Sequence, residues 1–170
     1  MTARLFAEFP DAAALARAPV GRLEALIRSV GFFRRKARAL IEAARAVVER
    51  SEGRLPETIE ELTALAGVGR KTANVVLGHV FAKPAIAVDT HVGRLARRLG
   101  LTSSSDPERI EHELEALLPP KKWTGFSMRL ILHGRRVCRA RNPRCSQCML
   151  ASECPRVGLA GNRPPAERVS

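Results

Sequence analysis

A chain of 170 residues with 45% hydrophobic and 27% charged side chains can bury a sizeable core without covalent staples, which excludes a disordered polyelectrolyte and a disulfide-built mini-protein. The net charge of +12 is unevenly spread: residues 1–120 carry 18 Lys and Arg against 15 Asp and Glu, whereas residues 121–170 carry 11 against 2, so a polyanion such as nucleic acid is expected to meet the C-terminal third. No run of 18 apolar residues occurs, and the opening MTARLFAEFP has no apolar stretch or cleavage site of a signal peptide, which points to a cytoplasmic, nucleoid-associated protein without a membrane partner.

Helical spacing dominates and no sustained alternation of period two demands a sheet, so the predicted fold is all-α. With aromatics at 4% and no tyrosine, packing rests on Leu, Ala, Val and Ile. Asp11 can cap a short helix; Pro19 opens another that Gly31 ends. Over residues 32–50, Phe33, Ala37, Leu40, Ile41, Ala44, Val47 and Val48 form an apolar stripe. Thr58 with Glu61 is a capping-box signature for a helix running to Gly67, and the next helix spans about 70–82. Residues 82–88 make an extended linker around Pro84. Asp89 caps a helix ending at Gly100, Asp106 with Pro107 starts one that stops at Pro119, and residues 123–137 form the last long helix before a polar tail after Gly158.

The stretch ALAGVGRKTANVVL, residues 64–77, breaks its own apolar run at Gly67-Val68-Gly69. Two helices joined by such a bend leave the amides around Gly69, Arg70 and Lys71 outside the helical ladder, where they can hold a phosphate. A plain turn with a solvated lysine is the competing reading. A free lysine amine is a nucleophile, and one beside a captured sugar-phosphate can attack a sugar carbon and form a Schiff base. Asp89 is one of three aspartates and is by itself a good helix cap, a role compatible with a second one in chemistry. His91, His133 and Trp123 read as structural.

Cys138, Cys145, Cys148 and Cys154 are spaced C-x6-C-x2-C-x5-C, a tetrathiolate pattern open to zinc or to an iron–sulfur cluster. The first two enclose RARNPR, and six arginines without one acid lie between residues 129 and 144, so Arg139, Arg141 and Arg144 are expected to face phosphates.

LTALAGVGRKTANVVL resembles the helix-hairpin-helix of the endonuclease III family of DNA glycosylases. IAVDTHVGRLARRLGL resembles the segment carrying that family's catalytic aspartate, and residues 123–155 resemble its cluster-binding region. The resemblance implies a helix-hairpin-helix domain over 1–83, a helical cluster domain over 84–170 and a cleft between them. It implies Lys71 and Asp89 as catalytic residues, Gly67, Val68, Gly69 and Arg70 as DNA contacts, and a [4Fe-4S] cluster on the four cysteines.

The implied protein is a monomeric, bifunctional glycosylase and abasic-site lyase acting on oxidised pyrimidines and abasic sites in double-stranded DNA, with the target nucleotide flipped out. A non-catalytic DNA-binding fragment is the alternative. An adenine-specific mismatch glycosylase conflicts with Lys71, which such enzymes usually lack. Ala66 stands where family hairpins commonly have proline, and the family's earlier helices, with an S-A-Q-x-T-D-like stretch, have no match here. That points to a fragment or a start codon placed too late, rather than lost activity, and to apolar surface left exposed.

Overall fold

The computed structural model describes residues 2–159, and among them the regular structure is entirely helical. The expected polar tail beyond Leu159 lies outside the described residues. The chain divides into two compact units, Met1–Ala73 and Asn74–Ser170.

In the first unit α1 (Thr2–Glu8), α2 (Ala12–Ala16) and α3 (Val20–Leu26) precede the long α4 (Phe33–Ser51). Asp11 caps α2 by accepting the Ala14 amide at 2.7 Å, and α3 starts directly after Pro19, whose fixed φ suits that position. Phe9, Ala18, Leu23, Ile27, Ala37 and Ile41 form one apolar core, and α4 buries Ala37, Ile41, Ala44 and Val47. Leu40 and Val48, expected in the same stripe, are exposed. Periodicity identifies a helix face but not how far its neighbours extend over it. α1 was not legible in the sequence, and α3 ends at Leu26, short of Gly31, because Ile27 already leaves helical geometry.

α5 (Ile59–Thr63) starts at the expected cap. The Thr58 oxygen accepts the Glu61 amide at 3.3 Å while its hydroxyl donates to the Glu61 carboxylate at 2.7 Å. α6 (Arg70–His79) follows the glycine bend and ends three residues before the expected 82. There the Lys83 amide turns back to Leu77 O, and Ala82 adopts a left-handed φ of 52°.

In the second unit α7 (Thr90–Arg98), α8 (Pro107–Leu117) and α9 (Trp123–Arg136) enclose a core of Ile86, Val88, Val92, Leu95, Ala96, Ile110, Leu114, Leu130 and Ile131. The segment around Pro84 is extended as expected, yet Ala85, Ile86, Ala87 and Val88 are all buried, so it is core as much as connection. The buried Asn74 explains how a polar side chain is tolerated there. Its amide donates to Ile86 O at 3.0 Å and to the buried Glu111 carboxylate at 2.8 Å, tying α6 and α8 to the extended segment. This contact lies ahead of the boundary at 83/84 that the sequence suggests, and the compact unit likewise begins at Asn74.

Asp106 caps α8 through the Arg109 amide, and the Trp123 indole donates to Leu118 O at 2.8 Å, anchoring the start of α9 as its packing role requires. Among the described residues Phe6, Phe32, Val80, Leu117 and Met149 are large apolar side chains more than half exposed, and no helix is long and apolar enough to cross a membrane.

Replacing Asn74 by Ala removes donors to a buried carbonyl and a buried carboxylate, so the expected loss of stability is about 1–3 kcal/mol, read as a lowered urea midpoint at unchanged slope.

Candidate functional site

The hairpin joins α5 to α6; its glycine bend lies in the first unit, and α6 runs on past the boundary at Asn74. Gly67 adopts φ +75°, and a Cβ there would stand 2.8 Å from Ala39 Cβ, so backbone and packing both demand glycine. Gly69 differs: its φ is ordinary and a Cβ would meet nothing within 4 Å. Positive φ is therefore required at Gly67 alone, while Gly69 leaves open space in front of the turn. The ladder of α6 begins with the Thr72 and Ala73 amides, which both donate to Gly69 O at 2.8 and 3.0 Å. The amides ahead of Thr72 stand outside it, at the positive end of the helix. Val68 is half-buried, its amide donating to Leu65 O, and Arg70 is half-buried in the first turn. Lys71 beside it is exposed.

Asp89 is half-buried at the start of α7, in the second unit. Its Oδ1 accepts both the His91 and Val92 amides at 2.8 Å. One carboxylate oxygen thus makes the cap and fixes the side chain, and Oδ2 takes no part in those two bonds. Capping and chemistry are compatible at this residue.

Further along α7, Arg94 spans to the chain after α9. Its Nη2 donates to Gly134 O at 3.1 Å and to Cys138 O at 3.0 Å and lies 3.1 Å from His91 Nδ1. Gly134 makes this approach possible, since a Cβ there would sit 3.0 Å from both Arg94 Nη2 and His91 Nδ1. Burial, and then the nearby Arg98 charge, lower the Arg94 pKa, while Cys138 and Asp89 act the other way. Among the described residues its buried Nε has no hydrogen-bond partner.

The four cysteines are free, half-buried thiols that line one cavity of about 30 Å³, partly open to solvent. Among the described residues no three His, Cys, Asp or Glu side chains converge closely enough to hold a single metal ion. Arg98, His133, Arg144 and Arg156 share the cavity wall. Arg98 Nη1 donates to Cys138 Sγ at 3.3 Å, the Leu150 amide donates to Cys148 Sγ at 3.4 Å, and His133 Nε2 lies 3.4 Å from the same sulfur. A donor set of four sulfurs ringed by N–H groups and guanidinium charge fits an anionic, polynuclear iron–sulfur group.

Arg139, Arg141 and Arg144 are exposed on the segment between the first two cysteines, and Arg144 faces the cavity as well. His133, read from sequence as structural, is part of the cavity wall. Arg94 and Arg98 went unnoticed because a helical arginine looks solvated until its partners, forty residues away, are known.

Phe32 was also missed. It is 84% exposed, holds φ 58°, and immediately precedes Phe33, Arg34, Arg35 and Lys36 at the start of α4. A left-handed conformation in an aromatic residue is strained, and no burial offsets it. An exposed FF-RRK sequence at a helix start was the available signal.

A helix-hairpin-helix with an exposed lysine in the first turn of its second helix, and a four-cysteine segment rich in arginine, define a nucleic-acid-processing class of protein. Comparison with known proteins specifies it: residues 1–120 match the model of the HhH-GPD superfamily base excision DNA repair proteins. The chain is 51% identical over 156 residues to endonuclease III of Synechocystis sp., covering 91% of this chain and 71% of that protein. It is 43% identical over 151 residues to endonuclease III of Thermotoga maritima, covering 89% and 71%. A solved trapped covalent intermediate of endonuclease III with DNA superposes with a TM-score of 0.86 at 39% identity, over 90% of this chain and 72% of that one. The chain belongs to the HhH-GPD superfamily of base excision DNA repair proteins.

The two hairpin glycines should separate on substitution. Gly67→Ala is expected to cost about 1–3 kcal/mol through strain and overlap, whereas Gly69→Ala should stay within about 0.5 kcal/mol of the wild type in thermal unfolding yet bind duplex DNA more weakly.

Proposed function

We propose that the protein is a bifunctional DNA glycosylase and abasic-site lyase that removes oxidised pyrimidines, with Lys71 as nucleophile and Asp89 as its electrostatic partner. The observation that carries the reading is Lys71: a primary amine, exposed in the first turn of α6 directly behind an amide-presenting glycine bend. Relatives named endonuclease III, one of them solved as a covalent intermediate with DNA, support an enzyme over a passive binding module.

In this reading the bend and Arg70 hold a phosphate beside the flipped nucleotide. As the bond from C1′ to the base breaks, the departing base nitrogen takes up a proton and the Lys71 amine bonds to C1′. The Asp89 carboxylate stabilises the positive charge that develops on the sugar. Opening of the sugar ring, with O4′ protonated, leaves a protonated imine; loss of a C2′ proton then breaks the C3′–O bond, the phosphate departing as the 5′ end of the downstream strand, and water hydrolyses the imine to free Lys71.

Cys138, Cys145, Cys148 and Cys154 would hold a [4Fe-4S] cluster, which supplies cross-linking of a loop that has little core of its own. The C-x6-C-x2-C-x5-C spacing, which resembles that of the family's cluster-binding region, favours the cluster over zinc. Arg139, Arg141 and Arg144 would meet backbone phosphates of double-stranded DNA, and the exposed ring of Phe32 would stack into the helix where the flipped base leaves a gap. The protein would act as a monomer.

Borohydride reduction on abasic duplex tests the chemistry directly. The wild type should form a covalent adduct and nick the strand, and Lys71→Ala should form none; an adduct persisting in Lys71→Ala would remove that residue from the reaction. Two further variants separate charge from stacking. Arg141→Ala should lower the salt slope of DNA binding by about 1, whereas Phe32→Ala should leave the slope unchanged and weaken binding to abasic duplex more than to intact duplex.

A further inference from the structure

Arg98 stands in the last turn of α7, half-buried in the wall of the thiol cavity. Its guanidinium is spread over three partners in the cysteine segment. Nη1 donates to Arg139 O at 2.7 Å and to Cys138 Sγ at 3.3 Å, and Nη2 donates to Ala140 O at 3.0 Å. The backbone of the same residue reaches the far end of the segment: its carbonyl accepts the Val157 amide at 3.1 Å and the Cys154 thiol at 3.6 Å. One residue therefore touches the first and the last of the four cysteines.

A guanidinium is a rigid fork whose charge persists at all ordinary pH, so it can hold two carbonyls in register while a third N–H meets a sulfur. Hydrogen bonds and positive charge at a ligating sulfur favour the electron-rich state of the metal group it holds. These bonds also occupy the fork, which separates Arg98 from the exposed arginines of the loop.

We propose that Arg98 is a positioning residue of the thiolate centre, closing the cysteine segment onto α7 and raising the reduction potential of the cluster through its bond to the Cys138 sulfur. This rests on the iron–sulfur reading above, and the test keeps the two apart.

The full chain is prepared as wild type, Arg98→Gln and Arg98→Lys. Iron and acid-labile sulfide per chain, with the visible absorption, are measured first; a wild type lacking both would overturn the cluster reading and this inference with it. With cluster present, Arg98→Gln should bleach in chelator about ten-fold faster or more and show a more negative potential by voltammetry. Arg98→Lys keeps the charge but not the fork, so its potential should return toward wild type while its bleaching remains fast.

An Arg98→Gln potential equal to wild type would overturn the proposal even if bleaching accelerated, because loop packing alone would explain that. Should Arg98→Gln retain no cluster, Arg98→Lys decides: wild-type bleaching and potential together would overturn the proposal. The salt slope of DNA binding should be unchanged in both variants, and a fall of about 1 would make Arg98 a phosphate contact instead.

Discussion

The second unit depends on what α7 does at its two ends. Its N-terminus is capped by Asp89 through two amides, and its C-terminal half grips the cysteine segment through Arg94 and Arg98, four residues apart and so on the same side of the helix. A helix nine residues long spans roughly 14 Å as a stiff rod. The carboxylate and the thiol cavity are thereby held at a set separation. The hydrophobic face of the same helix, Val92, Leu95 and Ala96, locks the rod into the core.

This arrangement gives the cysteine segment a structural logic that needs no redox step. Residues 137–159 contain only a short 3-10 turn at Cys145–Gln147 as regular structure, and none of them is fully buried. What orders them is a set of local turns, left-handed residues at Asn142 and Arg156, and the arginines reaching out from α7. A bound cluster would add four covalent ties to the same loop. The exposed arginines between Cys138 and Cys145 could then face a polyanion at little entropic cost, because the loop is ordered before the partner arrives.

The hairpin works by a different economy. Gly67 is required by the fold itself, whereas Gly69 leaves space that the fold does not use. Beside a helix start whose first amides lie outside the ladder, such space suits a ligand that binds through backbone. Phe32 is a second place where the chain departs from what stability alone would select, with strain and apolar exposure in one residue. Departures of this kind mark function more sharply than composition does.

The amino-acid sequence by itself determined the local features. The caps at Asp11, Thr58, Asp89 and Asp106 formed as read, because each depends on a side chain and amides two or three residues away. The glycine bend, the four-cysteine spacing and the basic C-terminal third were legible for the same reason. Only the tertiary structure decided that residues 85–88 are core, that part of the α4 stripe stays exposed, and that Arg94, Arg98 and His133 serve the cysteine segment. Those outcomes depend on partners twelve to forty-four residues distant, as in the bonds of Asn74 to Ile86 and Arg94 to Cys138. Periodicity and spacing record what a residue's neighbours in the chain permit, and contacts across the fold lie beyond their reach.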